Sequence, residues 1–206
     1  QAIIFEYKVL QYALESLFKR SKRLFLELNP DHYGSLSLKN QNYQKCIGVC
    51  IKDCVKHHYK IKELLGWYED GLKWPAAFCY AVGTGVIALG LVNLLLAIEN
   101  RNFESVGVFS GLILIETLNM YILSVFGESI TTESEAVRDE LYFIDWYKLN
   151  VPNRRLMLNF QVGINNPVIL KAGGLVALCM DTFSSIMNSS YSFFNIMNAN
   201  ALDGNK

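Results

Sequence analysis

Trp74 to Ile98 reads WPAAFCYAVGTGVIALGLVNLLLAI and holds no charged residue. A helix that crosses a bilayer needs about 20 mostly apolar residues, and this run is long enough on its own. Gly83, Gly85 and Gly90 leave room within it for close helix approach. Working outward, residues 99–105 (ENRNFES) make a short turn, and Val106 to Phe126 forms a second span broken only by Glu116 and Asn119. Residues 127–166 return to soluble composition, and residues 1–73 before the first span are likewise charged. A third long apolar stretch, Pro167 to Asn200, closes the pattern. The expected fold class is all-α: a polytopic membrane protein with three transmembrane helices and cytoplasmic helices attached.

The third stretch is wet on one side. Ser184, Asn188, Tyr191, Asn195 and Asn198 step by four, three, four and three, which places them on one stripe of a helix. Phe183, Ile186, Met187, Phe194 and Met197 fall mostly on other faces. Lipid penalises such a seam, so it faces protein or water. Two readings stand: Asn and Ser as glue between helices, or the hydrated wall of a conduit. In the second, Ile196 is the natural apolar constriction, because apolar rings gate by dewetting. Asn188-Ser189-Ser190 matches a glycosylation sequon but lies within the span.

Hydrophobic residues make up 51% of the chain and charged ones only 18%, below the ~25% usual for a soluble domain. Formal net charge is zero, so no basic field argues for nucleic acid. Gln1 opens directly into a helical pattern without a signal peptide, as expected of the C-terminal part of a longer protein. Lys and Arg number 12 in residues 1–73 and four in 127–166, against Arg101 alone in the inter-span turn and Lys206 alone after Asn200. The positive-inside rule therefore puts 1–73 and 127–166 in the cytoplasm, and the 99–105 turn and the 201–206 tail outside.

Within the cytoplasmic segments, residues 1–28 read as one helix that Asn29-Pro30 ends. Gln41 to Glu69 reads as another, with Cys46, Cys50 and Cys54 on its apolar face and Lys45, Lys52, Lys56, Lys60 and Lys62 on a solvated one. The cysteines are expected to be reduced and packed; zinc is conceivable with His57 or His58, but neighbours on one face do not surround a metal. Thr132 with Glu135 has capping-box spacing, Pro152 interrupts, and Arg154 to Ile164 suggests a further helix. No hydrolase elbow, phosphate loop or His-Glu metal helix is present, so neither an enzyme nor a cofactor is expected. Glu116 sits mid-span, where an ionisable group is a functional candidate by default. It either serves a ligand with Phe109, Leu112 and Ile113 around it, or bonds a neighbouring helix such as the one holding Asn93.

Taken in order, several pieces resemble insect odorant receptors, the seven-helix type with a cytoplasmic N-terminus. They are the helix with His57 and His58, Phe126-Gly127-Glu128, Glu133-Ser134-Glu135, and Tyr142-Phe143-Ile144-Asp145-Trp146-Tyr147 leading to Pro152 and Arg154-Arg155. Pro167, Ala172-Gly173-Gly174, Asp181-Thr182-Phe183 and Ser190-Tyr191-Ser192-Phe193-Phe194 follow. The resemblance implies the cytoplasmic end of a fourth helix and all of the fifth to seventh. It implies odour-gated cation channels assembled as hetero-tetramers with a shared coreceptor, in the plasma membrane of olfactory dendrites, gated by small volatile apolar ligands. It assigns pore lining to Asn188, Tyr191, Asn195, Ile196 and Asn198, with Ala199 and Asn200 at the outer mouth. It assigns subunit contact at a cytoplasmic anchor to His57, His58, Tyr142, Trp146 and Pro167, and ligand contact to Phe109, Leu112, Ile113 and Glu116. Many members carry Arg and Gln-Lys before the last proline, where this chain has Gly163, Asn165 and Asn166. The short loop before the fifth helix implies an odour-tuning subunit rather than the coreceptor. A gustatory receptor of the same superfamily and a G-protein-coupled receptor are the alternatives; the latter requires a cytoplasmic C-terminus.

Overall fold

The computed structural model describes residues 1–30, 37, 38 and 40–203, with side chains described as far as Asn198. The order is α1 (Ala2–Glu15), α2 (Leu17–Leu28), α3 (Gln41–Glu99), α4 (Phe103–Phe143), a 3-10 turn (Trp146–Lys148), α5 (Val151–Gly163), β1 (Lys171–Ala172), β2 (Val176–Ala177) and α6 (Met180–Asp203). The fold is all-α apart from one two-residue antiparallel hairpin, registered Lys171 to Ala177 and Ala172 to Val176. The chain forms two compact units: Gln1–Trp67 with Ile130–Val168, and Tyr68–Ser129 with Ile169–Lys206.

The first unit is built on apolar stripes at helical spacing. On α1 the buried residues are Ile3, Tyr7, Leu10 and Leu14; on α2 they are Leu17, Ser21 and Phe25. The single helix expected over 1–28 breaks at Ser16 (φ −85, ψ 11). There the serine hydroxyl donates to the Tyr12 carbonyl at 2.7 Å, a back-bond that bends helices. Asn29 ends α2, its amide donating to the Phe25 carbonyl at 3.0 Å ahead of Pro30. Asn40 caps α3, its side-chain oxygen accepting from the N–H groups of Asn42 and Tyr43 at 2.9 and 3.3 Å. The buried face of α3 then holds Cys46, Ile47, Cys50, Ile51 and Cys54.

Two expected boundaries vanish. The patterns over 41–69 and 74–98 belong to one continuous helix that carries Pro75 inside it. Just ahead of that proline, the Lys73 carbonyl accepts the N–H of Gly173 at 2.8 Å. Thr132 and Glu135 lie inside α4 and start no helix; the buried positions Ile130, Val137 and Leu141 keep the α4 phase running through them. One helix starts late instead. The final helix expected from Pro167 begins at Met180, because Gly173 (φ 61) and Gly174 (φ 77) turn the chain in the left-handed region that a helix does not use.

Among the described residues two helices, α3 and α4, are long and apolar enough to cross a membrane. Only 22% and 6% of their most apolar windows are buried. The core helix of a soluble protein is mostly covered, so these exposed apolar lengths fit lipid or neighbouring helices.

Candidate functional site

The seat of α6 is built from the second unit. The turn Ala172–Leu175 closes with the Leu175 N–H donating to the Ala172 carbonyl at 3.1 Å; φ is positive at both central glycines, a conformation that glycine adopts without strain. The strand exit is held by the Leu178 N–H on the Leu170 carbonyl at 2.9 Å. Leu178 lies flat on α4 at Gly127, where an added Cβ would stand 2.1 Å from the Leu178 carbonyl oxygen. One residue on, the Glu128 carboxylate accepts the N–H of Met180 at 3.3 Å. A carboxylate at a helix N-terminus also suits its dipole.

From that seat α6 turns one side to its neighbours. Phe183 meets the Tyr121 ring edge-on at 5.7 Å; Ile186, Met187 and Phe194 are half-buried and Ser190 is buried. The polar seam lies on another side: Ser184, Asn188, Tyr191 and Asn195 are exposed, and Asn198 is half-buried. Ile196 is exposed, while the side chains of Ala199 and Asn200 lie outside the described residues. Ser189 and Ser192 spend their hydroxyls on the Ser185 and Asn188 carbonyls, both at 2.8 Å. Among the described residues, the carboxamides of Asn188 and Asn195 have no partner within the chain.

Around Glu116 the helices touch closely. Met120 Sδ would stand 3.0 Å from a Cβ at Gly83, and Ile113 Cγ1 2.9 Å from one at Gly90. The Tyr80 hydroxyl meets Ser124 Oγ at 2.6 Å. Glu116 itself accepts from Asn119 Nδ2 at 3.2 Å. Asn93, weighed as its partner from the sequence, donates to the Leu89 carbonyl on its own helix. The four expected ligand residues diverge: Ile113 and Glu116 turn toward α3, Phe109 is half-buried, and Leu112 faces away, exposed.

The residues assigned to the anchor lie in the first unit. His57 Nε2 stands 3.0 Å from Glu6 Oε2, an ion pair when the imidazole is protonated. His58 packs edge-on against Phe160 at 5.6 Å. Burial, reinforced by Lys62 and His57, lowers the His58 pKa below its ordinary 6.5. The unfolded chain then binds the proton more readily, so His58 withdraws stability as pH falls through about 6.5. Melting of the full-length receptor is expected to drop between pH 7.5 and 5.5, and His58→Gln is expected to shrink that drop. An unchanged pH dependence in the variant refutes this.

Tyr142 and Trp146 are exposed, 72% and 57%. With Arg154, Met157, Leu158 and Gln161 they line a groove of about 490 Å³. Arg154 shapes it, lying over the Trp146 ring at 5.7 Å and donating to the Leu149 and Tyr147 carbonyls, both at 2.9 Å. Pro167 is half-buried. Val168 beside it is clamped, its N–H donating to Ser134 Oγ at 3.1 Å and its carbonyl accepting from Thr131 Oγ1 at 2.9 Å. The cysteines of α3 are free thiols; burial raises the Cys54 pKa, and its sulfur accepts from Arg20 at 3.7 Å. Among the described residues no His, Cys, Asp or Glu cluster gathers for a metal.

A polar hub in this unit went unread in the sequence. Gln44 donates to the Leu38 and Lys148 carbonyls at 2.8 and 2.9 Å and accepts from the Asn150 N–H at 3.0 Å. Asn153 donates to the Gln44 carbonyl and side chain at 2.7 and 3.1 Å. The only local sign is Asn150 ahead of Val151-Pro152, an N-cap followed by proline in the first turn.

The sequence model of the family described as 7tm Odorant receptor matches residues 2–191. Odorant receptor 2a of Drosophila melanogaster is 23% identical over 159 residues, covering 77% of this chain and 39% of that protein. Odorant receptor Or2 of Anopheles gambiae is 21% identical, over 71% of this chain and 38% of its own length. Odorant receptor 33a of Drosophila melanogaster is 30% identical, over 53% and 29%. The match thus spans about two fifths or less of these relatives. It covers nearly the whole of this chain, from the α1 helix to the polar seam of α6, and the chain belongs to the 7tm Odorant receptor family, a family of membrane receptors and not of enzymes.

Proposed function

We propose that the chain supplies the fifth, sixth and seventh helices of an odour-gated, non-selective cation channel subunit, with α6 as the pore-lining helix. The carrying observation is the seam: Asn188, Tyr191 and Asn195 are exposed on one stripe, with both carboxamides unpartnered among the described residues. Water and passing cations use such groups; a lipid face does not. Ile196, Asn198, Ala199 and Asn200 continue the conduit toward its outer mouth.

The anchor supports assembly with a coreceptor. Exposed Tyr142, Trp146 and Leu158 line one groove with Arg154 in the first unit, and an aromatic patch with an arginine among it is the composition of a protein interface. The few residues between α2 and α3 favour the tuning role over the coreceptor. The ligand is a small volatile apolar molecule, taken up between α4, where Ile113 and Glu116 face α3, and helices from the rest of the receptor that Phe109 and Leu112 meet. The site of action is the plasma membrane of the sensory dendrite.

Expression of the full-length parent with a coreceptor is expected to give odour-evoked cation current, and expression alone to give none. In that complex Asn195→Leu and Asn198→Leu are expected to lower single-channel conductance several-fold, since each replaces a hydrated wall group by an apolar one. Unaltered conductance and selectivity in both variants at normal surface expression refute the pore assignment.

A further inference from the structure

Inside the second unit, α3, the hairpin and the first turns of α6 line an open cavity of about 750 Å³. Its α3 wall is Trp74, Ala77, Tyr80, Ala81 and Thr84; two alanines create the room, and the two hydroxyls are spent, Tyr80 with Ser124 Oγ and Thr84 on the Tyr80 carbonyl. Leu175 and Val176 of the hairpin side add apolar surface. The α6 wall differs. Thr182, Ser185 and Ser189 step along it by three and four, and Asp181 stands at its end. The cavity therefore has an apolar body, one hydroxyl-lined edge and one carboxylate.

Size and polarity narrow the occupant. A water-sized group claims roughly 30 Å³, so the space takes on the order of twenty non-hydrogen atoms, about twice what a small volatile molecule brings. Few fixed polar groups around an apolar body orient a ligand rather than bind it by charge. The one charged group in the wall, Asp181, is an acceptor and favours a head that donates hydrogen bonds, with the Lys73 ammonium outside the wall, 3.7 Å from a Cβ built at Gly174. Trp74 in the wall marks the interfacial end of the span, where amphiphile heads reside.

We propose that this cavity binds a single-chain amphiphile, its alkyl chain against Ala77 and Ala81 and its hydroxyl or amine head beside Asp181 and Thr182. The occupant touches the helix that carries the polar seam, so it bears directly on the seat of α6.

The test uses the full-length receptor with its coreceptor in nanodiscs and a hexadecanol photoprobe carrying a mid-chain diazirine. Adducts are expected on peptides spanning 74–84 and 182–189. Ala81→Trp fills the cavity and is expected to cut labelling about ten-fold, whereas Leu89→Trp, on an exposed face of α3, is expected to leave it unchanged. Should Ala81→Trp fail to reach the surface, Ala77→Leu is expected to give a several-fold loss. Unlabelled hexadecanol is expected to compete and palmitic acid is not. Competition by monoacylglycerol built into the nanodisc assigns the natural occupant to the bilayer; competition only by alcohol added from solution assigns it to the environment. Labelling spread evenly over exposed apolar faces, labelling untouched by either filling variant, equal competition by palmitic acid, or displacement by short volatiles alone overturns the proposal. The readout needs no current, so its failure is separable from failure of the channel reading.

Discussion

Gly127→Ala is expected to destabilise the receptor by about 3 kcal/mol or more, and Gly127→Val to remove it from the cell surface. The reason is backbone, not side chain. An added Cβ would stand 2.1 Å from the Leu178 carbonyl oxygen, 2.5 Å from its Cβ and 2.9 Å from its carbonyl carbon. A side chain in that position yields by rotating; a peptide group does not. Leu178 cannot retreat freely either, since its N–H is held by Leu170 and the start of α6 by Glu128. Moving it breaks the hairpin closure and unseats the helix that carries the polar seam. The comparison variant lies on the same helix. Gly111 has nothing within 4 Å of an added Cβ, so Gly111→Ala is expected to be neutral, or to stabilise by up to about 1 kcal/mol through helix propensity. Thermal unfolding of the solubilised full-length receptor, with surface biotinylation in parallel, reads both. A Gly127→Ala protein that melts with the parent sinks the argument.

That contrast marks where sequence reading succeeds and where it stops. The charge-free run of α3 and the seam of α6 were legible because each is a property of one helix, fixed by composition and by spacing along a single axis. The role of Gly127 was not, since it depends on which segment lands on it from 51 residues away, and two glycines of one helix look alike until Leu178 arrives. Helix limits failed for the same reason. Thr132 and Glu135 have capping spacing, but the apolar phase through Ile130, Val137 and Leu141 holds the helix together. Gly173-Gly174 is a turn signal by itself; its apolar flanks made it pass for the start of a span. Among the residues grouped around a ligand between helices, Ile113 and Glu116 turn to α3 while Leu112 turns away. A face shared with other helices is not encoded in the spacing of one.

The polar hub makes the complementary case, because here the expected loss comes from groups left behind. Gln44 and Asn153 are 3% and 7% exposed, and between them they bind the Leu38, Gln44 and Lys148 carbonyls and the Asn150 N–H. Each buried group stranded without a partner costs about 1–3 kcal/mol. Asn153→Leu takes one donor from the Gln44 carbonyl and one from its side-chain oxygen, which keep the helical bond of α3 and the Asn150 N–H; Gln44→Leu takes the side-chain partner from the Leu38 and Lys148 carbonyls and from the Asn150 N–H, while the Asn153 amide keeps the backbone carbonyl of residue 44. Gln44→Leu is expected to lose about 3 kcal/mol or more and Asn153→Leu less, about 1–2 kcal/mol, with the double variant below the sum by a coupling of about 1 kcal/mol. Gly48 supplies an independent check. A Cβ there would stand 2.7 Å from Asn153 Oδ1, so Gly48→Ala is expected to be costly beside Asn153 and nearly free beside Asn153→Ala, where the obstructing atom is gone. Thermal unfolding of the full-length receptor measures all of these, and hydrogen exchange over 41–48 and 149–156 locates the loss. Strict additivity of Gln44→Leu and Asn153→Leu would mean that the two amides stabilise the unit separately. The start of α3 and the cap of α5 would then be neighbours without being joined, and the exposed aromatic face carried by Trp146 would have to draw its rigidity from the Arg154 contacts alone.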